Sequence, residues 1–232
     1  MAAANYYLVS ALPSLAELGS VPPLSLAALR DHVSERAGPR ALVEAILLGD
    51  DLLQRDAVLA GESVETAPAV LAPAQVRNEE PLPPYLAGAG EAAASRIAAD
   101  AVWDAYFRHA AGVARASGSR FLATWVGREV ALRNALATAR AKALDLEPAD
   151  YLVAAELGQT DDDFAALVAE WAAAANPLEG IRVLDAARWQ WLVDHDAWFS
   201  FGDDELAAYA AKLMLLARWH RLSTAPAAKP TG

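Results

Sequence analysis

The segment EAAASRIAADAVWDAYFRHAAGVARASGSRFLATWVGREVALRNALATARAKAL, residues 91–144, decides the fold class. From Glu91 to about Ser117, Ile97, Val102, Tyr106, Phe107 and Val113 approximate an apolar stripe at helical spacing. Gly118 breaks the pattern, and Ser119 is a good cap for a second helix running to about Leu144. Two long helices joined by so short a turn pack antiparallel. Alanine, the strongest helix former, fills both helices and β-branched residues are sparse. The expectation is an all-α protein: an antiparallel helical bundle with a smaller N-terminal helical lobe.

Outward from this hairpin, the chain divides into four parts: an N-terminal lobe (1–60), a Pro-rich connection (61–90), the main bundle (91–222) and a disordered tail (223–232). Tyr6 to Ser10 reads as a brief strand or an extended lead-in ended by Pro13. Ser25 caps a helix to about Ala37, Gly38-Pro39 punctuates it, and two short helices, 41–48 and 50–59, flank Gly49. Pro68, Pro73, Pro81, Pro83 and Pro84 mark the connection, whose end Leu82, Tyr85 and Leu86 pin to the helices. Beyond the hairpin, Pro148 opens a helix over 149–157. Asp161-Asp162-Asp163 starts a helix to about Ala175, Leu178–Val193 forms another, and Asp203-Asp204-Glu205 starts the last, ending near Leu222.

The 232 residues can bury a sizeable core, and 55% hydrophobic content excludes a mostly disordered chain. With 19 basic against 30 acidic residues the net charge is −11, which disfavours nucleic acid and anionic membrane surfaces and favours basic protein partners. The absence of cysteine removes disulfides, thiolate catalysis and cysteine-ligated metals, and suits a reducing cytoplasm. The N-terminus has no basic region and is broken by Pro13, so it is a poor signal peptide. No stretch approaches the roughly 18 uncharged apolar residues of a membrane span.

The two acidic triplets invite comparison with the metal sites of all-α Mg²⁺-dependent diphosphate enzymes, a remote alternative. Those need carboxylates one turn apart on one helix face. Here the acids are contiguous and open helices, so they read as caps. Asp194-His195-Asp196 resembles a metal pair, but of the other histidines, His32, His109 and His220, only His32 has a carboxylate one turn away (Glu35), so His195 reads as a helix-end histidine. No catalytic, cofactor-binding or metal residue is assigned.

In the central helix, Phe121, Trp125, Leu132, Leu136 and Ala139 share a face with Arg128, which reads as a paired or snorkelling arginine. Glu129 and Arg133 stand in the favourable order for a local pair. Gly127, Ala131 and Thr138 form a strip of small residues that admits another helix. Four of the seven tryptophans fall between Arg188 and Trp219 and cannot all point one way. Trp189 and Trp219 lie beside apolar stripes and read as core. Trp191 and Trp198 are the candidates for exposed partner contacts.

Three blocks now carry a resemblance: YYLVSALPSL (6–15), FLATWVGREVALRNALATARAK (121–142) and RVLDAARWQWLVDHDAWFSFGDDELAAYAAKLMLLARW (182–219). Together they resemble a family of proteins that accompanies bacterial V/A-type ATPases. That family is distantly similar to the C subunit of those machines, known as d in eukaryotes. The matching positions are Tyr6, Tyr7, Leu8 and Pro13; Arg133, Asn134 and Arg140; and Asp185, Arg188, Trp189, Trp191, Tyr209, Lys212, Arg218 and Trp219. The resemblance implies an all-helical, non-catalytic component linking the central rotor shaft to the membrane ring in proton or sodium transport. It implies other ATPase subunits as partners, no nucleotide or cofactor of its own, and a cytoplasmic place peripheral to the inner membrane. A transient adaptor or assembly factor for the same ATPase is the alternative. Apart from Trp191, the matching residues are expected to be structural.

Overall fold

Gly118 turns the chain at φ 72°, a conformation glycine adopts without steric cost, and the Ser119 hydroxyl accepts the Leu122 N–H at 3.1 Å. The helices on either side are α5 (Ala98–Ser117) and α6 (Arg120–Ala143), and they pack on each other. The computed structural model describes residues 5–62, 66–87, 98–158, 161–197 and 199–224, and all its regular structure is helical. The remaining helices are α1 (Tyr6–Ser10), α2 (Leu26–His32), α3 (Ala37–Leu59), α4 (Pro73–Val76), α7 (Ala165–Ala172), α8 (Pro177–Asp194) and α9 (Asp203–Thr224). The tail from residue 225 lies outside the described residues.

Helix α3 lies at the centre. Its Leu42, Val43, Ile46, Leu47 and Leu48 are all but fully buried, and it packs against both α5 and α9. The apolar residues of segment 1–60 therefore join those of α5, α6 and α9 in one continuous cluster, with no division in packing at residue 60. A satellite cluster of Leu132, Phe164 and Leu184 holds α7 against α6 and α8.

Several local expectations need correction. Residues 6–10 are helical, with the Val9 N–H bonded to the Asn5 carbonyl at 2.9 Å, and are neither strand nor extended lead-in. Gly49 does not interrupt α3, and Pro39 sits in its first turn, where the missing N–H has no intrahelical partner to lose. Among its described residues, the Pro-rich connection is bound to α3 from Ala67 to Asn78. Asp51 accepts the N–H groups of Ala69, Val70 and Leu71 at 2.8, 2.7 and 2.7 Å. Arg55 donates to the Gln75 carbonyl at 2.8 Å, and Leu71, Val76 and Leu86 are buried in the core. The helix expected over 149–157 is two 3-10 turns, Pro148–Tyr151 and Ala155–Leu157. Between them Asn134 takes both the N–H and the C=O of Val153, each at 2.9 Å, and Ala154 adopts a left-handed φ of 43°.

Candidate functional site

The link between α8 and α9 builds the most unusual surface of the described chain. His195 ends α8, its Nδ1 lying 2.8 Å from the Trp191 carbonyl and its ring stacked on the Trp191 indole at 4.1 Å. Asp196 then pairs with Lys212 of α9. Further on, Glu205 reaches back from the first turn of α9 and accepts the N–H groups of Phe199 and Phe201 at 3.2 and 2.6 Å. Both phenylalanines adopt left-handed backbone, at φ 57° and 49°, a region bulky residues rarely enter.

Helix α1 is fastened to this link. Asn5 donates its backbone N–H to the Phe201 carbonyl at 3.3 Å and its side-chain amide to Asp203. The rings of Tyr7, Tyr6, Phe201 and Phe199 consequently form a ridge, with successive centroids 5.5, 4.9 and 6.3 Å apart. Tyr7 is 80% exposed, Phe199 71% and Tyr6 45%, so the ridge faces solvent.

Trp191 does not belong to that surface. It is 7% exposed and packs between Phe121 and Trp125, with centroids at 5.9 and 5.6 Å, which corrects the expectation that it projects toward a partner. Trp198, the other expected contact, lies outside the described residues. Helical spacing does not single out Phe199 and Phe201. Their signal was a run of aromatics ending at Gly202, two of them flanking a serine, between two helices.

The remaining matching positions make tertiary contacts. Tyr209 donates its hydroxyl to the Pro13 carbonyl at 2.8 Å, tying α9 to the chain start. Trp189 packs against the core, and the Arg182 guanidinium lies 5.9 Å from the Trp219 ring. Asp185 is fully buried, and its Oδ1 accepts from Arg188 and Arg218, both at 3.1 Å. Arg188 also donates to both oxygens of Glu129 at 3.0 Å. Glu129 therefore pairs across the interface with Arg188 instead of locally with Arg133. Burial opposes the Arg188 charge, but Glu129 and Asp185 outweigh it and raise its pKa. Burial lowers that of Arg218, with Asp185 opposing.

Arg128 is the paired arginine expected. Its Nε lies 3.0 Å from Asp162 Oδ2, close enough for ion pairing but out of line for a hydrogen bond. The guanidinium lies between the rings of Phe164 and Trp191, at 5.4 and 5.5 Å. Arg133 pairs with Asp100 at 3.1 Å over the Trp103 ring, and Arg140 lies 4.9 Å from the Trp171 ring. Both arginines line a cavity of about 330 Å³ with Leu136, Leu144 and Tyr151.

The acidic triplets disperse over separate partners. The first triplet lies ahead of α7, which begins at Ala165 with no acidic residue in its first turn, so it does not open that helix as expected; Asp163 accepts the Ala165 N–H at 2.9 Å, Asp162 faces Arg128, and Asp204 in the first turn of α9 accepts the Ser119 hydroxyl at 2.6 Å. Among the described residues no group of three metal-ligating side chains converges, and no helix is long and apolar enough to cross a membrane. Compared with family models, curated proteins and solved structures, the chain gives no match.

Proposed function

We propose that this chain is a non-catalytic component of a bacterial V/A-type rotary ATPase, a helical bundle like the C subunit that links the central rotor shaft to the membrane ring. The reading rests on the three ordered sequence blocks. One observation carries it further: residues from separate blocks are bonded to one another. Pro13 of the first block receives Tyr209 of the third, and Glu129 of the second receives Arg188 of the third. The partners are other subunits of that ATPase, and the place of work is the cytoplasmic face of the inner membrane. An all-helical frame with a solvent-facing aromatic ridge suits a protein that transmits force by docking.

The test is a pull-down of the native protein at low salt followed by mass spectrometry. Recovery of rotary ATPase subunits in near-unit stoichiometry is the expected result. Recovery without any of them removes the proposal, and trace amounts in intact ATPase would favour an assembly factor.

A further inference from the structure

We propose that the ridge Tyr7–Tyr6–Phe201–Phe199 docks an arginine- or lysine-bearing apolar segment of a partner protein. This deepens the reading of the chain as a docking component and rests on it.

The backbone supplies the first argument. Glycine or asparagine would occupy φ 57° and 49° with less strain than phenylalanine. Strain of this kind persists where surrounding structure over-determines it, and Glu205 supplies that restraint by holding both N–H groups. Burial does not repay the cost at residue 199, which is 71% exposed. The chain thus holds a strained link that presents aromatic rings to solvent, where aromatic side chains serve as contact anchors.

Charge identifies the occupant. The hydrogen-bond partners of Asp203, Asp204 and Glu205 are all neutral groups: the Asn5 amide, the Ser119 hydroxyl, and the hydroxyl and backbone N–H groups of the link. The α9 dipole offsets these carboxylates only in part. From Val193 to Glu205 the sequence holds five carboxylates and no lysine or arginine, in a chain of net charge −11; Lys212 pairs with Asp196 and Arg36 bonds the Asn5 side chain, which leaves the three carboxylates of the α9 first turn without an ion-pair partner among the described residues. Aromatic faces bordered by carboxylates attract guanidinium and ammonium groups through cation–π and ionic terms together, while apolar side chains cover the rings.

The test uses the full chain and two synthetic amphipathic helices. Both carry leucine on one face; one carries arginine on the other, the second glutamate. The arginine peptide is expected to bind, more weakly as salt rises, and the glutamate peptide to give no binding. The double variant Y7S/F199S, at two exposed positions, is expected to weaken arginine-peptide binding about tenfold or more. Phe199→Gly is expected to keep or raise the thermal midpoint while weakening binding, because it removes strain along with the ring.

Equal binding of both peptides, unchanged binding by Y7S/F199S, or a lowered midpoint for F199G would each overturn the inference. So would a dimer of the native chain that Y7S/F199S dissolves, since a second copy would then cover the ridge. Pull-downs separate this failure from failure of the ATPase reading. ATPase subunits held equally by native and double-variant protein leave that reading standing and remove the ridge. Ridge-dependent peptide binding with no ATPase partner recovered does the reverse.

Discussion

Gly49 of α3 and Tyr106 of α5 meet so closely that a Cβ at residue 49 would lie 2.9 Å from the Tyr106 hydroxyl oxygen. Tyr106 is itself buried, so its ring has little room to yield. Gly49→Ala is therefore expected to destabilise by about 1–3 kcal/mol, despite a gain in helix propensity of up to about 1 kcal/mol. Removing the hydroxyl in Tyr106→Phe should return much of that loss in the double variant. Urea unfolding of the four-member cycle measures the coupling; additive effects would count against the contact.

Asp185 is the buried acceptor shared by two half-buried arginines. Asp185→Ala leaves Arg188 with Glu129 alone and Arg218 without its carboxylate, an expected loss of about 3–5 kcal/mol. Added salt should not restore it, because buried pairs are little screened. Chemical denaturation at low and high salt checks both statements.

Asp51 carries a pH signature. Its burial, opposed by three backbone N–H groups, raises its pKa from 3.8 to about 6. A carboxyl raised on folding binds a proton more readily in the native state between those two values. Its contribution to stability therefore grows as pH falls through 6 toward 4. The stability difference between the native chain and Asp51→Asn is expected to widen by about 1 kcal/mol from pH 7.5 to pH 5. A narrowing would mean that the amide bonds outweigh burial and keep the group ionised.

Trp191 is a packing residue, so Trp191→Ala should cost about 3–5 kcal/mol in unfolding experiments. Loss of less than about 1 kcal/mol would instead mark a surface residue.

Asn134 holds the segment between the two 3-10 turns. Asn134→Ala is expected to remove about 1–3 kcal/mol and to speed amide exchange at Val153 ahead of exchange in α3. Hydrogen exchange read by mass spectrometry distinguishes this local opening from a global one.

The helices visible in sequence were those whose signals are local. Ser119 announces α6 and the Asp203 triplet announces α9, because caps and first-turn charges act within one turn. What escaped depended on partners distant in the chain. Glycine reads as a breaker, yet Gly49 is required in mid-helix by a tyrosine 57 positions later. Glu129 obeys a local pairing rule with Arg133, but Arg188 across the α6–α8 interface competes better in a desolvated setting. Helical spacing separates Trp189 from Trp191 without revealing that both meet the same core, Trp191 buried against Phe121 and Trp125 and Trp189 half-buried against the cluster they belong to. The ridge escaped because its four rings come from chain segments nearly two hundred residues apart.

The packing of α3 against α9 also sets an order of events during synthesis. The central helix emerges early from the ribosome, whereas the helix that covers much of its apolar surface is made far later. Until residues 203–224 clear the exit tunnel, Leu42, Ile46 and their neighbours lack that cover. The core closes only once α9 has emerged, and a nascent chain stalled before it is a natural client for chaperones that shield apolar helices.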